Sequence, residues 1–235
     1  MTARIVLAAL FALALPGLGQ AAQCRQALAL ALDVSGSVDA DEYRLQLDGL
    51  AAALTNPDVV QAFVAGAAAP VRLLVYDWSG PSHQRVILDW TEVGDAATLA
   101  SIAATLRNTG RIAAAPSTAL GTAMAAGAQM LAAHAECWAR TLDISGDGTS
   151  NTGPRPQDIG TLSVFDDITV NALAIGAGER QSLASTGDLV EYFRETVIRG
   201  PGAFVEHAAD FADFEAAMVR KLLRETRGLA IGSSQ

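Results

Sequence analysis

At 235 residues the chain is long enough for one domain with a sizeable core. Half of it is apolar (51%) and few residues are aromatic (6%), which argues against disorder and for a globular, helix-rich protein. A formal charge of −9 with no basic run argues against nucleic acid and anionic membranes as partners.

The N-terminus reads as a leader. Arg4 is followed by the apolar run Ile5 to Leu15, then Pro16-Gly17 and small residues through Ala22. This is the pattern of a secretory signal peptide cleaved after Ala21 or Ala22, and its apolar core is short for a bilayer span. Gln23 stands before Cys24 where a lipid-attachment motif needs a small residue, so cleavage and export, to the periplasm or beyond, are expected. Cleavage removes one basic residue of sixteen, Arg4, and the formal charge moves from −9 to −10. The expected organisation is a signal peptide over 1–22, one domain over 23–228, monomeric on its own, and a flexible tail over 229–235. No later segment is long and apolar enough to cross a membrane; Val59 to Ala69 is interrupted by Gln61 and ended by Pro70 and Arg72.

From Cys24 onward strand-like and helix-like segments alternate. Ala27 to Leu32 reads as a buried strand. Asp39 and Glu42 have capping-box spacing, and Tyr43, Leu47, Leu50 and Leu54 then recur at helical intervals. Val71 to Tyr76 is a second strand. Gly80-Pro81 marks a turn into a short third strand, Arg85 to Leu88, antiparallel and at an edge. Asp95 to Arg107 is helical, with Leu99, Ile102 and Leu106 on one side. After the loop Gly110 to Ser117, Thr118 heads a helix carrying Leu120, Met124 and Leu131, where Gly121, Ala125 and Gly127 allow close approach to the sheet. Thr141 to Ile144 is the fourth strand and runs into Ser145-Gly146-Asp147-Gly148-Thr149. A short helix ends near Phe165, Ile168 to Ile175 is the fifth strand, and Leu183 to Val197 is helical. Ala203 to Val205 is a short last strand, and Phe211, Phe214, Met218 and Leu222 mark the final helix. This alternation predicts an α/β fold: a doubly wound, mostly parallel central sheet with one antiparallel edge strand and helices on both faces. Sites in such folds lie at the carboxyl ends of strands, where strand order reverses. Asp33 and Asp147 both stand at such ends.

The two cysteines, Cys24 and Cys137, each precede a strand-like run. If those strands are parallel neighbours, their starts lie side by side and a disulfide fits; two free buried thiols are the alternative.

The chemistry concentrates in Asp33-Val34-Ser35-Gly36-Ser37, where an apolar strand ends in a carboxylate followed by two hydroxyls at alternate positions. Oxygen-only donors suit a hard divalent cation; a helix-starting turn is the bland reading of the same residues. With Thr118 opening a later helix and Asp147 in a Gly-Asp-Gly turn, the chain resembles the von Willebrand factor A domain across Cys24 to about Arg227. More narrowly, Leu32 to Val38, Ser145 to Gly148 and Gly200 to Val205 resemble an exported bacterial family with that fold. The resemblance implies a metal-ion-dependent adhesion site. Ser35 and Ser37 would bind the cation directly, Asp33 and Asp147 would hold its waters, and Thr118 would join when a ligand is bound. Thr118 lacks the glycine often found before it, so Ser117 is an alternative donor. The resemblance further implies Mg²⁺, with Mn²⁺ or Ca²⁺ as substitutes, and a protein partner that gives an Asp or Glu carboxylate to the open position.

Other motifs are weaker. Gly176-Ala177-Gly178 lacks a third glycine and reads as a strand-ending turn, not a dinucleotide loop. Ser35 is not in a Gly-x-Ser-x-Gly setting. His83, His134 and His207 read as surface or helix residues, and Trp78, after Asp77 at the end of the second strand, as core or rim packing. The expected function is that of a binding module and not an enzyme. A metal-assisted hydrolase and a structural or assembly domain are the alternatives.

Overall fold

The computed structural model describes residues 24–65, 69–176 and 183–227. The leader 1–22, Ala177-Gly178 of the predicted turn and the tail 229–235 lie outside the described residues.

Six strands form one sheet in the order β3-β2-β1-β4-β5-β6. They are β1 (Gln26–Asp33), β2 (Val71–Trp78), β3 (Gln84–Val93), β4 (Ala139–Gly146), β5 (Ile168–Ile175) and β6 (Val205–Ala208). All pairs are parallel except β2 with β3, which is the antiparallel edge. The helices are α1 (Ala40–Thr55), α2 (Pro57–Val64), α3 (Ala96–Asn108), α4 (Leu120–Ala132), α5 (Pro156–Ile159), α6 (Leu183–Thr196) and α7 (Phe214–Arg227). The predicted architecture is the observed one.

All eight residues of β1 are buried, because helices cover both faces of the sheet. Leu28, Leu30 and Leu32 share one core with Leu73, Val75 and Leu173 and with residues of α1, α3 and α7. The alternate residues Ala27, Ala29 and Ala31 lie in the other, with Leu74, Tyr76, Leu142 and Ile144 against α4 and α6. Each fully buried leucine stabilises the fold by roughly 1.5–3 kcal/mol. Asp39 caps α1, accepting from the Glu42 N–H while Glu42 accepts from the Asp39 N–H, both at 2.9 Å.

Several elements differ from the expectation. α2 was not read from the sequence; Asn56 caps it, accepting from the Asp58 N–H at 3.0 Å, and Pro57 opens it. β3 extends to Val93, beyond the expected Leu88, because Thr91 and Glu92 pair with Leu73 and Arg72 past register shifts. α4 begins at Leu120, so Thr118 lies two residues before the helix and does not cap it. Gly127 does approach the sheet, where a Cβ would lie 2.5 Å from Leu142. Gly121 instead abuts the loop after β4: its Cβ would lie 2.1 Å from the Pro154 carbonyl. β6 starts at Val205, not Ala203, because Gly200 and Gly202, at φ +90° and +71°, spend the preceding residues on a turn. α7 starts at Phe214, three residues after Phe211, which is nonetheless buried.

Cys24 and Cys137 form a disulfide at the amino ends of β1 and β4, which pair directly through Gln26 and Ala139. At the middle of the α7 face, Lys221 is fully buried and shared by two buried carboxylates, Asp143 at 2.9 Å and Glu225 at 3.1 Å. Burial holds the Asp143 carboxyl above its ordinary range, and Glu225 adds to that while Lys221 opposes it.

Two outcomes are expected. Replacing both cysteines by serine should lower stability to urea by about 2–5 kcal/mol, since the bond closes a loop of more than a hundred residues. A raised carboxyl contributes stability that is complete below the ordinary carboxyl range and lost as pH rises through the folded value. The unfolding free energy should therefore fall with rising pH, and Asp143→Asn should flatten that fall in urea titrations across the same pH range; an unchanged slope would remove Asp143 as its source.

Candidate metal centre

The chain passes from β1 to β2 on one side and returns to β4 on the other, so strand order reverses between β1 and β4. The loops leaving their carboxyl ends therefore diverge over a crevice. Asp33 is the last residue of β1 and is fully buried. Its Oδ1 accepts from the Ser35 N–H at 2.7 Å, which folds the loop back over the strand end. Ser35 Oγ and Ser37 Oγ lie 3.3 Å apart, and Ser37 Oγ donates to Asp147 Oδ1 at 2.7 Å. Asp33, Ser35, Ser37 and Asp147 thus form one connected cluster of oxygens.

The surroundings make this cluster unusual electrostatically. Asp33 Oδ2 is buried without a hydrogen-bond partner. A Cβ on Gly146 would lie 3.2 Å from that oxygen and 3.3 Å from the Phe193 ring, so glycine lets the backbone of β4 approach the Asp33 carboxylate closely. Burial, with Asp147 next in weight, raises the Asp33 carboxyl to about 7. Asp147 is also raised, by burial first and by Glu42 among the charges. Among the described residues no lysine or arginine pairs with either carboxylate. A buried, unpartnered carboxylate oxygen beside a second carboxylate and two hydroxyls is a donor set that fits a divalent cation.

The scaffold holds the cluster from several sides. Gln46 of α1 donates to the Asp33 carbonyl at 3.0 Å, and Arg111 donates to the carbonyls of Val34 and Val38 at 3.2 and 2.9 Å. The Gly36 N–H donates to the Pro116 carbonyl at 3.0 Å, tying the first loop to the segment that carries Thr118. Thr118 is buried, and Asn151 clamps its backbone: the Thr118 N–H donates to Asn151 Oδ1 and the Asn151 N–H to the Thr118 carbonyl, both at 2.9 Å. The three loops carrying the five predicted residues are therefore cross-tied. Ser117 Oγ faces Gly80, where an added Cβ would lie 2.8 Å from it. Sequence reading missed Gln46, Arg111 and Asn151; the polar Gln46 inside an apolar helical stripe was the one visible signal.

The weaker candidates resolve differently. Trp78 is wholly buried and belongs to the core. His83 is neither a surface nor a helix residue: it sits in the β2–β3 turn, 3.0 Å from buried Asp77, which also accepts from Tyr43 and Arg85. His134 lies half-buried in the turn after α4 against Trp90 and Arg72, not in the helix, while His207 is exposed on β6. His134, Glu136 and Cys137 have metal-ligand spacing, but the Cys137 sulfur is committed to the disulfide.

The fold matches solved structures at low sequence identity. A pilus adhesin, SpaC from Lactobacillus rhamnosus GG, superposes with a TM-score of 0.62 at 14% identity, covering 89% of this chain and 31% of that one. Proximal thread matrix protein 1 from the mussel byssus gives 0.59 at 14%, covering 89% and 49%. Another structure of the mussel protein is described as having a zinc-occupied MIDAS motif. A von Willebrand factor type A protein from Catenulispora acidiphila gives 0.54 at 15%, covering 88% and 43%. The chain spans half or less of the length of each of these relatives. No curated protein matches it in sequence. A family model described as "Protein of unknown function (DUF1194)" matches residues 23–230, so the chain belongs to that family, and its fold is that of the von Willebrand factor A domain.

Proposed function

We propose that this is an exported module that binds a divalent cation through Asp33, Ser35, Ser37, Thr118 and Asp147 and recognises a protein partner through that cation. The observation that carries this reading is the buried, unpartnered Asp33 Oδ2 in a cluster of oxygens that, among the described residues, no lysine or arginine neutralises. Ser35 and Ser37 would be direct ligands and the two carboxylates would hold water, with Mg²⁺ as the cation and Mn²⁺, Ca²⁺ or Zn²⁺ as substitutes. Neutral hydroxyl ligands leave much of the cation's charge free, so a carboxylate from the partner's Asp or Glu is its natural further ligand. The zinc-occupied motif described for the mussel protein, which shares the fold, supports a metal here. The disulfide supports export into an oxidising compartment, and among the described residues no helix is long and apolar enough to cross a membrane. We favour a binding role over catalysis because the five residues include no histidine, lysine or cysteine to serve as the usual general base or nucleophile.

Calorimetry with Mg²⁺ and Mn²⁺ tests the site. Asp33→Ala should abolish binding, and equal, tight binding by wild type and variant would sink the assignment. Asn151→Ala should weaken the metal-bridged complex by about tenfold while leaving the fold intact by circular dichroism, because it frees the Thr118 backbone. For the partner, a pull-down from periplasmic extract should fail in chelator and recover with Mg²⁺. Thr118→Ala should weaken the partner more than the metal, whereas Ser35→Ala should weaken both. A partner held equally well in chelator would place recognition elsewhere on the surface.

A further inference from the structure

The loop that leads into Thr118 combines apolar side chains with an unpaired backbone. From Gly110 to Ser117 its one charged residue is Arg111, whose guanidinium is turned onto the carbonyls of Val34 and Val38. Ile112 and Ala113 are exposed, Ile112 to 46%, while Ala114 and Ala115 are half-buried. The chain runs from Thr109 to Ala115 without a turn or bend. Among the described residues no group donates to or accepts from the backbone of Ile112, Ala113, Ala114 or Ala115. Their neighbours, by contrast, are fixed on both sides. The carbonyls of Thr109 and Gly110 accept from Arg44 and Arg85 at 3.0 and 3.2 Å, and that of Pro116 accepts from the Gly36 N–H at 3.0 Å. A stretch about 13 Å long is thus held at its ends and unpaired along its length. It leads to the crevice: Gly36 stands between Ser35 and Ser37, and a Cβ on it would lie 2.9 Å from Pro116 Cβ.

Unpaired N–H and carbonyl groups on an unbent stretch are what the edge of a sheet offers to another extended chain. Alternate residues turn these groups the same way, so two of the four can pair with one partner strand. Resting on the metal-dependent recognition proposed above, we infer that the partner presents its acidic residue on an extended peptide segment that pairs with the backbone of residues 112–115. A helical partner would not use these groups, because its own are spent within the helix. The side chains that flank the acid on this side meet Ile112 and Ala113, so the segment recognised is an Asp or Glu with apolar residues on one flank. A charge there would lose hydration against Ile112 without gaining a counter-charge, since Arg111 is held by the first loop. The metal accepts any carboxylate; the loop selects among them. Fixed ends reduce what the protein loses in ordering when the segment docks.

Short peptides with Asp fixed at the centre and both flanks randomised, selected on the Mg²⁺-loaded protein, supply the probe. The selected peptides should carry apolar residues on one flank and show no preference on the other. N-methylation at alternate residues of that flank should weaken binding about fivefold or more per methyl, each removing one backbone donor. Ile112→Ser should weaken the best peptide about tenfold while calorimetry shows Mg²⁺ affinity unchanged. Peptides that need Mg²⁺ and the central Asp but show no flank preference, or bind equally well when N-methylated, overturn the backbone pairing and leave the metal reading standing. A selection that returns no peptide overturns it as well. Peptides held equally well in chelator count against the metal reading itself, and this inference falls with it.

Discussion

The arrangement at the carboxyl ends of β1 and β4 turns on a charge problem that no lysine or arginine among the described residues solves. Asp33 is fully buried with its carboxylate against Gly146, and Asp147 lies close enough to raise it further. Leaving an ionised carboxylate in such a place is costly unless something positive or donating meets it. One oxygen of Asp33 receives the Ser35 N–H and the other receives nothing. Local structure around the crevice follows from this: a loop doubled back on its own carboxylate, a serine bridging to Asp147, and a glycine where a side chain would crowd the carboxylate.

Positioning of that crevice is set by topology and by a small number of buried polar contacts from outside it. The reversal of strand order separates the loops, but it does not orient them. Gln46, fully buried in α1, reaches the Asp33 carbonyl, and Arg111 spans two carbonyls of the same loop from the segment after α3. Asn151 then locks the segment of Thr118 to the loop of Asp147. The amide and guanidinium groups thus couple loops that are far apart in the chain, and they satisfy backbone groups that would otherwise be orphaned near the crevice. The disulfide fastens the same two strands at their other ends.

The elements that bury regular apolar patterns were legible from sequence: β1, β5, α1, α3 and α6 lie within a residue or two of their expected limits at each end. Elements whose ends depend on pairing were not. β3 reaches Val93 because β2 is there to receive it, and no local signal marks Thr91 or Glu92 as strand. β6 is displaced by a turn that two glycines at positive φ require. α2 is opened by Asn56-Pro57, but at eight residues it is too short to carry a clear apolar period of its own. Asp33, Ser35, Ser37 and Asp147 were legible because each stands at a strand end or just beyond it. The residues that brace them come from other elements, and their partners are backbone atoms, which leave no pattern in side-chain spacing. The disulfide followed from strand adjacency, a topological inference that no local pattern could have supplied.

The protein meets the same electrostatic difficulty in two ways, and the contrast bears on what each end of the sheet is for. On the α7 face, β4 presents Thr141, Asp143 and Ser145 where β1 presents Leu28, Leu30 and Leu32, so a polar strip crosses an otherwise apolar surface. There the chain supplies its own cation: Lys221 lies 2.9 Å from Asp143, and removing it would strand two carboxylates in the core. Had Asp33 and Asp147 served only to hold loops, a lysine or arginine in the crevice would offset part of the cost of burying them, as Lys221 does for Asp143 without removing the rise of its carboxyl. Arg111 stands against this very loop, yet it is spent on the carbonyls of Val34 and Val38 instead of a carboxylate. A cation is therefore within the means of this fold, and among the described residues the crevice is the place where it is withheld. Such an arrangement is unfavourable for the isolated chain and would become favourable with a cation from solution, which is the condition the proposed metal-dependent recognition has to meet.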